Sequence, residues 1–376
     1  MAMAMAMPMS MPMAKVSPAL QIHAGPLALA QLRERGLRPA DVRVIPAAAG
    51  GPKGLVLNPL DRYLFGQWLP AARQTVHLLG ASIGAWRMAC ACLPDADASL
   101  AELAEDYIGQ RYEHLPGEAP TPSTVSRDFG LQIEKRLGSR AAEVLSHPHW
   151  RLHVFTSHGR RLLHRGGRWR TPVGYVGAFA ANALHRRALG SFLERVVFGD
   201  PRDALPFPLS DFRTQQVALT AQNLAPAILA SCSIPFWLDP VCDIPGGPAG
   251  AYWDGGITDY HLHLPYAGLA AADGGLVLYP HFQSQVVPGW LDKPWKARHR
   301  ATAQLDRLVL LSPNPAWVQT LPGGKLPDRA DFKTYADDDA GRMRVWRRAL
   351  AESQRLADEF AAWVADDRPI HAQTLA

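Results

Sequence analysis

The sequence predicts an α/β fold, and three observations predict it. Short apolar runs at 42–46, 76–79, 276–279 and 308–311 are each bounded by Gly or Pro, as buried strands are. Segments with helical spacing of apolar residues lie between them. The first two runs also sit in a fixed order: strand, glycine-rich loop, helix, strand, tight serine turn, helix. That order is a βαβ unit, whose right-handed crossover makes neighbouring strands parallel.

Taken along the chain, residues 26–36 read as a helix that stops at Gly36. The strand at 42–46 feeds Ala47-Ala48-Ala49-Gly50-Gly51. From Gly54 to about Gln67, Leu55, Leu57, Leu60, Leu64 and Phe65 recur at helical spacing. The strand at 76–79 ends on Gly80, and helix-compatible residues resume from Ile83 to Cys92. Residues 100–150 read as mostly helical around a Pro-rich loop at 116–122. Two strands are expected at 152–156 and 161–164, on either side of His158-Gly159. A long helix is expected over 174–198, with Tyr175, Phe179, Leu184, Phe192, Val196 and Val197 as its apolar stripe; these residues fit core packing or an acyl-chain groove. A Pro-rich loop at 201–209 precedes a helix at 222–232. The C-terminal segment 341–364 is amphipathic, with Met343, Trp346, Leu350, Leu356, Phe360 and Trp363 on one side. Its arginines read as a solvated face over a core-facing stripe rather than as a membrane-surface helix.

Composition bounds the function classes. Across 376 residues, 48% are apolar and 19% charged, which is a globular balance. The net charge of +5 comes without any dense Lys/Arg block with interleaved aromatics, which argues against nucleic acid as a partner. It is compatible with loose peripheral attraction to anionic lipid surfaces. Seven of the nine methionines fall in the first thirteen residues, in a Met/Ala run without early positive charge. That run reads as a disordered tail over residues 1–20 and not as a secretory signal. No run of eighteen apolar residues exists, so no spanning segment is expected. Four cysteines (Cys90, Cys92, Cys232, Cys242) are too few for a disulfide scaffold and read as reduced thiols in a cytoplasmic protein. With neither repeat nor linker, residues 21–366 form one expected domain whose oligomeric state stays open.

Three short stretches carry the chemistry. Gly80-Ala81-Ser82-Ile83-Gly84 fits the G-x-S-x-G pattern, and its strand-before, helix-after context is what a nucleophile elbow needs. A helix starting just after Ser82 aims its amides at a developing negative charge. Gly50-Gly51-Pro52-Lys53-Gly54 is not a P-loop, because Lys53 is followed by Gly54 and not by Ser or Thr. Its Gly50 and Gly51 amides suit an oxyanion hole, and Lys53 can add positive charge or fasten the loop by a salt bridge. The third stretch, Trp253-Asp254-Gly255-Gly256, taken alone reads as a turn. Next to a reactive serine it offers a carboxylate base. His261, His263 and His281 remain as alternative bases in a Ser-His-Asp arrangement. His261-Leu262-His263 lacks a third ligand at metal-binding spacing, so neither metal nor cofactor is expected.

In that order the three stretches resemble the patatin-like phospholipase family. The stretch 227–236, followed by Pro240-Val241 and Tyr252-Trp253-Asp254, is similar to the family's approach to its aspartate, and the resemblance covers about residues 40–270. It implies a three-layer α/β/α sandwich with a mostly parallel central sheet. It also implies a Ser-Asp dyad without histidine: Ser82 as nucleophile, Asp254 as base, and Gly50, Gly51 and Lys53 at the oxyanion hole. Gly54, Gly80, Gly84, Gly255 and Gly256 are the motif glycines. The expected substrate is a lipid or other ester, cleaved through an acyl-enzyme. A general carboxylesterase or thioesterase, or a catalytically silent lipid-binding protein of the same fold, are the other readings. The chain departs from the family pattern at Ala49, at Pro52 and over 257–263, where the family is Asn-rich.

Overall fold

Apolar runs without polar alternation need cover on both faces, and the central strands have it. In Leu276–Pro280, Leu276 and Leu278 enter one apolar layer while Val277 and Tyr279 enter the other. Leu308–Pro313 divides in the same way, with Val309 and Leu311 on one side and Leu308 and Leu310 on the other. The computed structural model describes residues 17–112, 120–269, 275–366 and 372–376.

The chain opens with β1 (Leu20–Ala24), α1 (Pro26–Arg35), β2 (Val42–Ala47), α2 (Asn58–Tyr63), β3 (Val76–Ala81) and α3 (Ile83–Ala91). Helices α4 (Ala96–Ile108), α5 (Pro122–Ile133) and α6 (Ala141–Ser146) lead to β4 (Trp150–Gly159). Then follow α7 (Arg170–Leu184), β5 (Leu193–Gly199), β6 (Thr214–Ala218), α8 (Leu224–Cys232), β7 (Val241–Cys242), β8 (Ala251–Trp253) and α9 (Gly256–Asp259). The chain closes with β9 (Leu276–Pro280), β10 (Leu308–Pro313), α10 (Pro315–Val318), α11 (Ala330–Thr334), α12 (Asp339–Glu352), α13 (Gln354–Ala365) and β11 (Gln373–Thr374).

The strands form one sheet in the order β11-β1-β10-β9-β2-β3-β4-β5-β6, with β7 and β8 attached to β4. From β10 through β4 all pairs are parallel. The antiparallel pairs lie to either side, at β1/β10, β4/β5, β4/β8 and β7/β8. Helices α1, α3, α4, α5, α8, α12 and α13 feed the layer on one face. Residues 260–269 and 282–305, with Phe207 and Leu209, cover the other, and α7 packs in a third cluster with Leu163, Leu189 and Trp253. This is the expected α/β architecture with its mostly parallel central sheet. No helix among the described residues is long and apolar enough to cross a membrane.

Several local expectations are corrected. The two strands about His158-Gly159 are one strand, β4, followed by a 3₁₀ turn at Arg161–His164. Gly159 makes that turn so tightly that a Cβ would strike the Leu163 carbonyl. The long helix over 174–198 ends at Leu184; a 3₁₀ turn follows at Arg186–Ser191, Phe192 caps it, and Val196 and Val197 lie in β5. Seven-residue pairing of β5 against β4 overrides the helical spacing there. The amphipathic 341–364 segment is two helices that meet at Ser353, with Met343, Trp346, Leu356 and Phe360 buried as expected. Strands β1, β6, β7 and β11 carried no signal strong enough to read. β11 pairs with β1 beyond residue 366, so the sheet includes chain past the expected domain end. The Met/Ala run through residue 16, and the 116–119 part of the Pro-rich loop, lie outside the described residues.

Candidate active site

Strand β3 delivers Ser82 at the C-terminal end of the parallel sheet, where α/β folds gather their chemistry. The turn is sharp: Ser82 has φ 56° and ψ −131°, a conformation that L-residues avoid and that costs of order 1–3 kcal/mol. Neighbouring backbone enforces it. A Cβ on Gly80 would sit 2.3 Å from Ala85 Cα, and one on Gly84 would sit 2.0 Å from the Ala47 carbonyl oxygen. Helix α3 starts at once behind Ser82 and is fastened by its buried Arg87, which donates two hydrogen bonds to Asp61 on α2 at 2.7 and 2.8 Å.

Ser82 Oγ donates to Asp254 Oδ2 at 2.8 Å across a sequence separation of 172 residues. The other carboxylate oxygen accepts from the Gly256 N–H at 2.7 Å. Two serine side chains help bind these two arms together. Ser231 on α8 accepts from the Ser82 N–H at 2.8 Å and donates to the Phe155 carbonyl at 2.6 Å. Ser157 on β4 donates to the Asp254 carbonyl oxygen at 2.9 Å and lies 3.0 Å from the Thr258 hydroxyl. The Asp254 and Gly255 amides donate to the carbonyls of Ser233 and Ser231. Behind α9, Asp259 is gripped by the buried Arg195 guanidinium, which also holds Asp211.

Burial pushes the Asp254 carboxyl up to about 6 from its ordinary 3.8. The positive charge of Arg329, the Ser82 hydroxyl, the Gly256 amide and Lys293 oppose that rise. Among the described residues no histidine hydrogen-bonds Ser82 or Asp254. His261 is buried, accepts the Val287 N–H at Nδ1 (2.9 Å), and is driven well below its usual range by desolvation. His281 is lowered to about 3 for the same reason, and His263 lies 3.3 Å from the Thr302 hydroxyl.

The loop Gly51–Leu57 folds as a 3₁₀ helix beside the elbow. Gly51 has φ +57°, and Gly50 lies so close to Phe282 that a Cβ would come within 2.4 Å of the ring. Neither the Gly50 nor the Gly51 N–H donates to a protein acceptor among the described residues. Gly54 faces Ile83 in the same turn. Among the described residues Lys53 makes no salt bridge; its ammonium stands 5.4 Å from the centre of the Phe282 ring. Gly50, Lys53 and Asp254 line a cleft of about 280 Å³. Ile234, Trp290, Lys293 and Arg329 complete its walls. Lys293 sits 4.0 Å from the centre of the Tyr260 ring, and lost hydration together with repulsion from Lys53 and Arg329 lowers it to about 8.

The fold therefore brings together all three stretches singled out in the sequence. Ser157 and Ser231 went unassigned there, although Ser231 stands inside the quoted 227–236 stretch. Trp290, Lys293 and Arg329 lie beyond residue 270 in segments with no motif, and only the folded cleft reveals them.

A strained serine at a strand–helix elbow thus hydrogen-bonds a buried carboxylate from a distant part of the chain. Residues 68–262 match the patatin-like phospholipase family, and the chain belongs to it. Among solved structures, VipD from Legionella pneumophila is similar at 12% identity and a TM-score of 0.29, over 93% of this chain and 72% of that one. No curated protein matches.

Proposed function

We propose that this chain is a serine lipid acyl hydrolase that cleaves a fatty acyl ester through a Ser82–Asp254 dyad. The observation that carries the reading is the 2.8 Å hydrogen bond from Ser82 Oγ to a buried carboxylate without a histidine between them. With its pKa near 6, Asp254 is mostly ionised at neutral pH yet basic enough to take a proton. Asp254 takes the hydroxyl proton as Ser82 Oγ attacks the ester carbonyl carbon. The Gly50 and Gly51 amides receive the resulting oxyanion, and Lys53 adds positive charge near it. Collapse breaks the ester C–O bond, and the proton on Asp254 passes to the leaving alcohol. Water then attacks the acyl-enzyme, with Asp254 taking its proton. The fatty acid leaves and Ser82 recovers its hydrogen.

Membership of the family supports a lipid ester over a general carboxylester or thioester. Turnover of micellar phospholipid against short p-nitrophenyl esters separates these substrates. A fluorophosphonate probe should label the wild-type chain and not Ser82→Ala. Asp254→Asn should lose roughly a thousandfold or more in turnover, while His263→Ala keeps most of it. Labelling that survives Ser82→Ala, or a comparable loss in His263→Ala, would sink the dyad.

A further inference from the structure

Twelve large hydrophobic side chains are exposed among the described residues, and ten of them fall on 162–184, 236–237 and 290–295. These segments are neighbours in space. The Tyr175 ring on α7 lies 6.0 Å from Phe236, and Phe179 stacks on Trp295 at 6.4 Å. Trp169 is 76% exposed and Val176 71%, far beyond the scattered apolar exposure of ordinary surfaces. The patch is also continuous with the cleft. Trp290 belongs to both, and Phe236 follows directly on Ile234 and Pro235 of the cleft wall. Phe236 has φ 72°, a left-handed conformation that a bulky residue seldom adopts, and its side chain is exposed.

Along α7 and its flanking turns the charge has one sign, and Asp239 is the exposed acid beside Trp237. From Arg160 through Leu193 the chain has seven arginines and neither Asp nor Glu. Arg161, Arg165, Arg168 and Arg170 are exposed and form no ion pair among the described residues. Three tryptophans of the patch carry a cation close to their rings: Arg168 at Trp169, Lys293 at Trp290 and Arg298 at Trp295, at 5.6–6.0 Å. Exposed tryptophans with basic neighbours fit the boundary between lipid headgroups and acyl chains. A second copy fits poorly, because apposing the face on itself would set arginine against arginine.

We propose that this face docks the chain on the surface of a bilayer containing anionic lipids. Trp169, Val176, Phe179 and Trp237 enter the acyl boundary while the arginines meet lipid phosphates. The cleft mouth then opens onto the membrane. This deepens the acyl-hydrolase reading, and rests on it, by naming where the substrate is presented.

The test is sedimentation of the full-length Ser82→Ala chain with phosphatidylglycerol/phosphatidylcholine vesicles, so that binding is read without turnover. The chain should pellet with these vesicles in 0.1 M NaCl, and less in 0.5 M NaCl or with phosphatidylcholine alone. Val176→Asp and Trp237→Ser should each weaken partition about tenfold. Leu27→Asp, which alters an exposed residue of α1 against β1 and β10 at the opposite edge of the sheet, should not. Hydrolysis of a soluble short ester by Val176→Asp with Ser82 intact should match wild type and shows that it is folded; should that variant misfold, Arg165→Gln/Arg168→Gln replaces it with the same expected loss. The proposal is overturned by failure to pellet at low salt, by undiminished partition of the face variants, or by equal loss in Leu27→Asp. It is also overturned if Val176→Asp converts a dimer to a monomer that never bound vesicles. Vesicle binding without fluorophosphonate labelling would sink the catalytic reading and leave docking standing. Labelling without vesicle binding would do the reverse.

Discussion

Asp61 and Asp254 are both buried carboxylates, and they are put to different uses. Asp61 faces the guanidinium of Arg87 with both oxygens and holds α2 to the helix behind the elbow. Among the described residues the Asp254 carboxylate accepts hydrogen bonds from a hydroxyl and one backbone amide, with Arg329 and Lys293 acting from a distance. A full counter-charge in contact makes a clamp. Two neutral donors leave a carboxylate poised to accept a proton near neutrality.

The same substitution at the two positions should therefore change stability in opposite directions. The larger effect is expected at the clamp. Asp61→Asn leaves the Arg87 guanidinium buried without a counter-charge and should destabilise the fold by about 3–5 kcal/mol in denaturant titration. A neutral result there would mean that the clamp holds nothing.

At Asp254 the sign reverses. Its carboxyl binds its proton more tightly in the folded chain than in the unfolded one, so stability falls as pH rises from about 4 through about 6. Asn cannot ionise and escapes that loss. Asp254→Asn should be more stable than wild type at pH 7 by about 1–3 kcal/mol, and the gain should vanish below about pH 4. Melting curves at the two pH values read this directly, and a pH-independent difference would contradict the assigned desolvation.

The smallest effect sharpens the role of the distant cations. Ester turnover should fall as pH drops through about 6, where Asp254 protonates. Arg329→Gln removes a positive charge that favours the carboxylate, so the acid limb should move upward by about half a pH unit. An acid limb that stays in place would show that Arg329 is too well screened to act on the base.

The elbow was legible because everything it needs lies within a few residues. The strand, the two glycines that admit crowding backbone and the helix behind Ser82 follow one another in sequence. The aspartate was legible only as a member of an ordered trio, since an Asp-Gly-Gly by itself is a turn. Ser157, Ser231 and Arg329 gave no local signal, because their roles depend on strands and helices that meet only in the folded chain. The misread helix over 174–198 has a similar cause. Helical spacing continued through Phe192, Val196 and Val197, and the gain from pairing β5 with β4 decided otherwise.

By itself, then, the sequence determined the α/β class, the two parallel strands that flank the glycine loop, and which serine stands at a strained turn. These follow from short-range sterics and apolar spacing. Tertiary structure decided which group meets that serine, how far the group's pKa rises, and which apolar residues of α7 face water. Periodicity reports that a residue is apolar and on which side of its helix it lies. Whether that side meets core, solvent or lipid depends on what the rest of the chain places against it.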